Sequence, residues 1–168
     1  MKQIFQNFNN GNLEILDTPR PNIKKDYVII ETINSLISRG TEKMLIDFGK
    51  SNLIAKAISQ PDRVKEVFNK VSTEGIYSTF NKVNLKLNEP VPMGYCNVGY
   101  VIDSGCNEFK VGDRVVSNGN HAEIVIVNKN LCSLIPTNVS NEDACFTVLS
   151  SIALNGIRLI KPEIGNTV

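Results

Sequence analysis

Residues 111–135 read VGDRVVSNGNHAEIVIVNKNLCSLI and contain three short apolar runs separated by turn-forming residues. The runs cover Arg114–Ser117, Ala122–Val127 and Leu131–Ile135, and glycine or asparagine residues lie between them. A fourth run, Val98–Asp103, comes shortly before. Short apolar runs at this spacing are typical of the strands of a small barrel. The stretch therefore predicts a β domain.

The first 35 residues predict further strands of the same domain. Two alternating runs, residues 3–8 and 13–16, flank the turn sequence Asn9-Asn10-Gly11, which is a hairpin signal. Residues 27–33 form a β-branched run after two prolines, which is typical of a strand. The chain therefore opens with antiparallel β-structure.

The spacing of apolar residues becomes helical between Thr41 and Leu87. Pro61 is suited to begin a helix there and Gly75 to end it. We expect a helical insertion at about residues 43–88 of the β domain. A last helix is predicted after Ser140, a suitable N-cap, and Lys161-Pro162 ends it. Residues 163–168 predict a turn that opens a new strand.

Composition excludes several classes of function. The chain has 168 residues and a formal net charge of +1, without a basic block, which argues against a nucleic-acid partner. It contains no run approaching the roughly 20 apolar residues that span a bilayer. We therefore expect a cytoplasmic protein with no membrane partner. The four cysteines include no CxxC pair, which argues against a disulfide framework and a zinc knuckle.

Three motifs in fixed order resemble a known enzyme family. Residues 111–116 look like the GDRV strand of medium-chain dehydrogenases/reductases, and residues 92–102 resemble their GHE segment. Leu134-Ile135-Pro136, followed by the acidic start of a helix, resembles a third segment of that family. The resemblance implies an α+β fold, mainly β with helices: a GroES-like partial β-barrel with a helical insertion.

The insertion sharpens this resemblance. Lys56-Ala57, residues 61–64 and residues 87–90 look like one branch, the bacterial bi-domain oxidoreductases, in which such a dehydrogenase is fused to a Gfo/Idh/MocA-type domain. The resemblance covers nearly the whole chain. It implies that residues 1–168 are a GroES-like catalytic domain, with residues 141–168 forming a helix and the start of the linker to an absent Rossmann domain.

The same resemblance implies the chemistry of the full-length protein. It implies an NAD- or NADP-dependent oxidoreductase that acts on a small-molecule substrate, a hydroxyl or ketone of a sugar-linked compound in surface polysaccharide biosynthesis. Because no glycine-rich nucleotide loop occurs within residues 1–168, we expect this part alone to be inactive and to bind no NAD(P). The alternative is a non-catalytic GroES-like binding or scaffolding module.

The resemblance also implies a zinc-independent site. The metal-ligand positions of zinc-dependent relatives correspond to Ser38, Tyr95 and a position near Thr147–Val148. Hydroxyl groups are poor zinc ligands beside thiolate or imidazole. The segment that carries four zinc-binding cysteines in those relatives is missing after Arg114. We therefore expect no metal.

Four residues are the candidate catalytic set. Tyr95 lies where the ligand histidine would be, and its role is either hydrogen-bond donation to a carbonyl or packing as a half-buried aromatic. Thr41 matches a proton-relay position, and Ser38 and Thr41 are also the candidate contacts for the nicotinamide side of the cofactor. Glu42 is expected to accept a hydrogen bond, or to pair with Arg39 or Arg63, rather than to act as a base.

Two further polar positions are interpreted as structural. His121 is the only histidine, and its place before an alternating run favours a capping or surface role over acid/base chemistry. Asp113-Arg114 is expected to fix a turn. The insertion is expected to cover the mouth of the catalytic cleft, with Ile54, Ile58, Val64, Val67 and Phe68 packed on the barrel. Its alternative is a hairpin that enlarges the core.

Overall fold

The computed structural model describes residues 1–163 and residue 165, and leaves out the side chains at positions 53, 63, 68, 70, 72, 74 and 76. The strand expected to open within residues 163–168 lies outside the described residues. Within the described part of the chain, no helix is long and apolar enough to cross a membrane.

The described residues form eight strands and six α-helices, and the residue-level strand pairings among them are antiparallel. The strands are Lys2–Gln6 (β1), Leu13–Asp17 (β2), Tyr27–Ser35 (β3), Val91–Pro92 (β4), Asn97–Ser104 (β5), Arg114–Ser117 (β6), Ile124–Asn128 (β7) and Cys132–Leu134 (β8). The helices are Thr41–Lys50 (α1), Leu53–Ser59 (α2), Pro61–Glu74 (α3), Ile76–Asn88 (α4), Asn141–Ala144 (α5) and Thr147–Ile160 (α6). The predicted α+β class is confirmed.

The chain divides into two compact units. The first contains residues 1–3, 17–37 and 94–168, and the second contains residues 4–16 and 38–93. Five strands of the first unit form one sheet in the order β7-β3-β5-β6-β8, and a three-stranded sheet has the order β2-β1-β4. Neither sheet closes on itself, so the expected small barrel is open.

The first unit is built on the pairing of β3 with β5. Gly99 lies against Glu31, and a Cβ atom at position 99 would overlap the Glu31 carbonyl oxygen. This glycine therefore allows the two central strands to approach each other. One core cluster contains Val28, Ile30, Val101, Phe109, Val115, Val125 and Val127, all buried.

A second core cluster connects the sheet to α5. Val98 and Val116 pack there with Ile135, Ala144 and Cys145. Arg114 fixes the intervening loop, because its guanidinium donates to the carbonyl oxygens of Pro136 and Val139 at 2.7 Å each and to Asn141 Oδ1 at 3.2 Å.

The turn before β6 and the start of α5 form as the sequence predicts. Asp113 Oδ2 accepts from the Lys110 N–H at 2.7 Å, so the Asp113-Arg114 pair has the expected structural role. Ser140 caps α5 as expected, since its hydroxyl accepts from the Asp143 N–H at 3.1 Å. The single predicted helix is divided in two, because α5 ends at Ala144 and α6 begins at Thr147.

The second unit is organised around a buried lysine. The ammonium group of Lys56 donates to the carbonyl oxygens of Phe8 at 2.6 Å and Gly49 at 2.9 Å, and burial lowers its pKa. It lies 6.0 Å from the ring centre of Phe48. The fully buried Gln6 donates to the Leu45 and Ile46 carbonyl oxygens of α1. The polar groups of β1 and Lys56 thus hold α1 and α2.

The expected packing of the isoleucines of α2 is wrong. Ile54 and Ile58 are 73% and 76% exposed. Among the described side chains of α2, Lys56 is the buried one, and its ammonium donates to the carbonyl oxygens of Phe8 and Gly49 outside the helix. Val64 and Val67 of α3 are half-buried, and the side chain of Phe68 lies outside the described residues.

Replacing Arg114 by methionine tests the anchoring of the loop before α5. Arg114→Met removes three hydrogen bonds from a charged donor and is expected to lower the free energy of unfolding by about 2 kcal/mol. Arg158→Met is the matched control, because Arg158 is exposed on α6. Urea unfolding of both variants makes the comparison, and equal midpoints would contradict the anchoring role.

Candidate functional site

Polar side chains gather where three neighbouring strands of the first unit end. Ser35 at the end of β3 is opposite Asn97 at the start of β5, and Asn97 is opposite Ser117 at the end of β6. Asn97 and Ser117 are both buried. The antiparallel register therefore places hydroxyl and carboxamide groups side by side at one end of the sheet.

Asn97 has an incompletely satisfied side chain. Its Nδ2 donates to the Thr32 hydroxyl at 2.7 Å. Its Oδ1 is buried and has no hydrogen-bond partner among the described residues. A buried carbonyl oxygen without a donor is costly, so this atom is a ready acceptor for a water molecule or a ligand hydroxyl.

His121 lies inside this polar group, and the expectation of a surface role is wrong. The imidazole is 7% exposed, and its Nδ1 is 2.9 Å from the Ser35 hydroxyl. Gly94, with φ of +92°, packs against the ring: a Cβ atom there would be 2.6 Å from His121 Cγ. A buried imidazole needs a hydrogen-bond partner such as the Ser35 hydroxyl. The alternating run that follows His121 in the sequence does not indicate that this partner is nearby.

Tyr95 and Cys96 follow Gly94 directly. Cys96 is fully buried, and its carbonyl oxygen accepts from the Leu36 N–H at 3.0 Å. Tyr95 is half-buried. A half-buried phenol is compatible with both roles considered for Tyr95, donation to a carbonyl and aromatic packing.

Ser38, Thr41 and Glu42 form a tight turn at the start of α1 in the second unit. The Ser38 N–H donates to Glu42 Oε1 at 2.9 Å, and the Glu42 N–H donates back to the Ser38 carbonyl oxygen at 3.1 Å. The Ser38 hydroxyl accepts from the Thr41 N–H at 3.4 Å. Ser38 and Glu42 are buried, whereas Thr41 is exposed. Glu42 is thus a hydrogen-bond acceptor, one of the roles expected for it.

Two of the four cysteine thiols, those of Cys132 and Cys145, are not activated nucleophiles. Burial raises the pKa of Cys132 to about 12 and also raises the pKa of Cys145. Both thiols are therefore protonated at neutral pH, and the thiolate is the reactive form. Across the described residues, no three histidine, cysteine, aspartate or glutamate side chains are grouped so that they could hold a metal ion.

Sequence reasoning missed Ser35, Asn97 and Ser117. Ser117 ends a predicted strand, Asn97 directly precedes one and Ser35 lies two residues after one, and only the register between strands shows that they are neighbours. A polar residue that interrupts an apolar strand end is the signal that could have identified Asn97, since asparagine is disfavoured in strands.

Comparison with known proteins gives structural likeness only. No protein-family model and no curated protein matches the chain. The quinone oxidoreductase from Coxiella burnetii superposes with a TM-score of 0.67 at 21% identity, covering 99% of this chain and 47% of that one. Galactitol-1-phosphate dehydrogenase from Escherichia coli superposes at 0.65 and 16% identity, covering 96% and 45%.

A third structure, the quinone oxidoreductase from Escherichia coli complexed with NADPH, gives a TM-score of 0.61 at 14% identity and covers 94% of this chain and 40% of that one. The chain thus spans less than half the length of each of these proteins. Together these likenesses show that the chain has the fold of the GroES-like domain of medium-chain dehydrogenases/reductases, with open sheets.

Two glycines with positive φ angles test the contact between Gly94 and His121. Gly112→Ala, at φ of +93° with open space around it, is expected to cost about 1–2 kcal/mol of unfolding free energy from backbone strain alone. Gly94→Ala is expected to cost a further 1–3 kcal/mol, roughly, because the methyl group overlaps the imidazole and the backbone nitrogen of His121. Thermal or urea unfolding measures both changes.

The double variant Gly94→Ala, His121→Ala separates the two terms. Removal of the imidazole relieves the side-chain part of the overlap, so the cost of the alanine should fall, but it should stay above the value measured at Gly112 because the backbone nitrogen of residue 121 would still be 2.7 Å from the new Cβ. An unchanged cost at position 94 in the absence of His121 would contradict the contact.

Proposed function

We propose that this chain is the catalytic-domain part of a zinc-independent, NAD(P)-dependent oxidoreductase that acts on a hydroxyl or ketone of a sugar-linked substrate in surface polysaccharide biosynthesis. The observation that carries the proposal is the fold. Nearly all of the chain superposes on quinone oxidoreductases and on a sugar-alcohol phosphate dehydrogenase. The likeness to the bi-domain oxidoreductases seen in the sequence supports the sugar-linked substrate.

The cofactor would be bound mainly by a nucleotide-binding domain outside these 168 residues. Two of the similar structures are complexes with NADPH, one from mycobacteria and one from Escherichia coli. Because the chain corresponds to less than half of each, a Rossmann domain is the proposed partner. When bound, the nicotinamide would accept or deliver a hydride. Within this chain, Ser38 and Thr41 are the proposed contacts on its nicotinamide side.

The chain's own residues would handle the proton that accompanies hydride transfer. A ketone that accepts hydride gains negative charge on its oxygen, and a nearby hydroxyl donor stabilises that charge. We assign this donation to the Tyr95 phenol. Thr41, exposed at the start of α1, would relay the proton, and Glu42 would hold the backbone of Ser38 in place through its hydrogen bond.

Zinc fits this chain poorly. Hydroxyl groups occupy two of the positions that hold ligands in zinc-dependent relatives, Ser38 and Tyr95. Neutral hydroxyls bind zinc weakly beside thiolates and imidazoles. The Ser38 hydroxyl is also engaged with the Thr41 N–H. The proposed reaction therefore has no step that involves a metal.

A second candidate function is a non-catalytic binding or scaffolding module. Two observations favour it. Hydroxyl groups replace the usual metal ligands, and the buried carboxylate nearest to them in sequence, that of Glu42, accepts a hydrogen bond within its own turn instead of being placed as a catalytic base. This alternative requires ligand binding without nicotinamide turnover.

Metal analysis tests the zinc-independent proposal. Purified protein, loaded with zinc and dialysed against a chelator, is expected to retain far less than one zinc per chain. Elemental analysis by mass spectrometry gives the ratio. Retention of one equivalent through the dialysis would refute the proposal, because two hydroxyl donors cannot account for binding of that strength.

The role of Tyr95 is tested in the complete product of the gene that encodes this chain, assayed with NAD(H) or NADP(H) and nucleotide sugars. Tyr95→Phe is expected to lower kcat by about 10²-fold or more, since it removes a proton donor. Tyr100→Phe is the control, because Tyr100 is 43% exposed on β5. Unchanged kcat in Tyr95→Phe would assign this ring to packing, and binding of the sugar without any turnover by the wild type would favour the scaffolding module.

A further inference from the structure

A cavity of about 370 Å³ lies within the first unit, along β7. All five consecutive residues of β7 line it. Successive side chains of a strand point to opposite faces, so a cavity on one face would touch alternate residues only. The cavity therefore follows the edge of the strand. The remaining wall includes Met1, Gln3, Asn118 and Asn120.

The hydrogen-bond pattern of β7 shows which backbone groups face this cavity. The Thr32 N–H donates to the Glu123 carbonyl oxygen at 2.9 Å, and the Lys129 N–H donates to the Asp26 carbonyl oxygen at 2.9 Å. The register between these two pairs matches Ile29 with Ile126 without a shift. Bonded and non-bonded pairs alternate in an antiparallel ladder. Every second residue of β7 therefore bonds to β3.

It follows that Val125 and Val127 are the β7 residues that exchange hydrogen bonds with β3. Ile124, Ile126 and Asn128 lie between them in non-bonded pairs, so their N–H and C=O groups point away from β3. β7 is the last strand of its sheet on this side. Its outward groups thus repeat every second residue, about 7 Å apart, along the cavity.

The first residues of the chain already pair beside this edge. The Glu123 N–H donates to the Lys2 carbonyl oxygen at 3.0 Å, the Lys2 N–H donates to Glu123 Oε2 at 2.8 Å, and Gln3 forms an antiparallel bridge with Ala122. In the same register Met1 lies opposite Ile124, so a further segment in line with residues 1–3 would continue this pairing onto Ile126 and Asn128.

The side chains around the cavity are suited to an uncharged backbone. Among the described residues, no aspartate, glutamate, lysine, arginine or histidine lines it, and the one charged group of its wall, the Met1 ammonium, donates to the Thr18 carbonyl oxygen at 2.9 Å. The carboxamides of Gln3, Asn118 and Asn120 are half-buried, and their side chains form no hydrogen bond within the described residues. Each carboxamide can donate and accept, as a peptide group does. Charged side chains would be desolvated here without a partner of opposite charge.

We propose that β7 binds an extended, uncharged polypeptide segment as a sixth strand of the sheet. The segment runs antiparallel to β7, in line with Met1–Gln3. The positions beyond Met1 run from Val125 to Asn128, three strand steps or roughly 10 Å, so four residues fill them. The repeated outward N–H and C=O groups provide the binding energy, as in other cases of strand addition.

Two other occupants fit less well. A sugar has no donor and acceptor repeat of about 7 Å to match the backbone groups of Ile126 and Asn128. A second copy of this chain could present its own β7, which lies along its own walled cavity, or another edge strand of its described part; of these β4 and β8 have two and three residues, and β2 carries the charged residues Glu14 and Asp17.

Hydrogen exchange with a designed peptide tests the proposal on the 168-residue protein. The probe is an acetylated and amidated pentapeptide of alternating threonine and valine. At saturation the amide protons of Ile126 and Asn128 should exchange about tenfold more slowly, as newly bonded amides do. The amides of Val125 and Val127 should change little, because they are already bonded to β3.

The peptide itself provides a control that leaves the protein unaltered. N-methylation of all five residues removes the donors on both edges of the peptide and should abolish the protection. Equal protection by the methylated peptide, or no protection by the unmodified one, overturns the proposal. So does protection of Ile126 by a nucleotide sugar, or concentration-dependent self-association that protects it.

A pair of variants locates the site. Ile126→Pro removes an outward N–H without removing a bond to β3, and is expected to weaken peptide binding at least about tenfold. Ile126→Val keeps the N–H and should bind as the wild type does. Tight binding by a folded Ile126→Pro protein would overturn the assignment to this edge, and if that variant does not fold, the methylated peptide decides.

Discussion

The pairing of β3 with β5 is the constraint on which the first unit depends. Gly99 brings the two strands together where any side chain would overlap the carbonyl oxygen of Glu31. On one face of this pair the valines form a closed core, and on the other Val98 packs with α5. The same register places Ser35 opposite Asn97. Core packing and the polar group at the strand ends therefore have one origin.

The polar turn of residues 38–42 differs from the polar strand ends at Ser35, Asn97 and Ser117 in which hydrogen-bonding atoms remain available to a ligand. In the turn of residues 38–42, the Glu42 carboxylate and the Ser38 backbone bind each other, so the turn is fixed from within. At the strand ends, Asn97 Oδ1 is buried without a partner among the described residues. Binding sites commonly retain such acceptors, because a ligand or water then supplies the missing donor. The strand ends are thus the more receptive of the two groups.

Local signals in the sequence predicted the elements well, since they depend on neighbouring residues. Residues 114–117 form a strand with the predicted bounds, Pro61 begins α3, and Ser140 caps α5. Long-range burial was less predictable. His121 and Lys56 are buried because carbonyl or hydroxyl groups distant in sequence receive their hydrogen bonds, and no periodicity in residues 54–58 or 121–126 indicates those partners. For the same reason the neighbours Ser35, Asn97 and Ser117 required the sheet register.

The buried ammonium group of Lys56 has a consequence for chemical modification. Its donors point at the carbonyl oxygens of Phe8 and Gly49, and the side chain is almost wholly shielded from solvent. An acyl group on this nitrogen would remove the charge and leave both oxygens without their donor. Acylating reagents can therefore reach this amine only in a chain that has opened or has not yet folded. Acylation of Lys56 would then show that the second unit of that molecule was open or unfolded when the reagent was added.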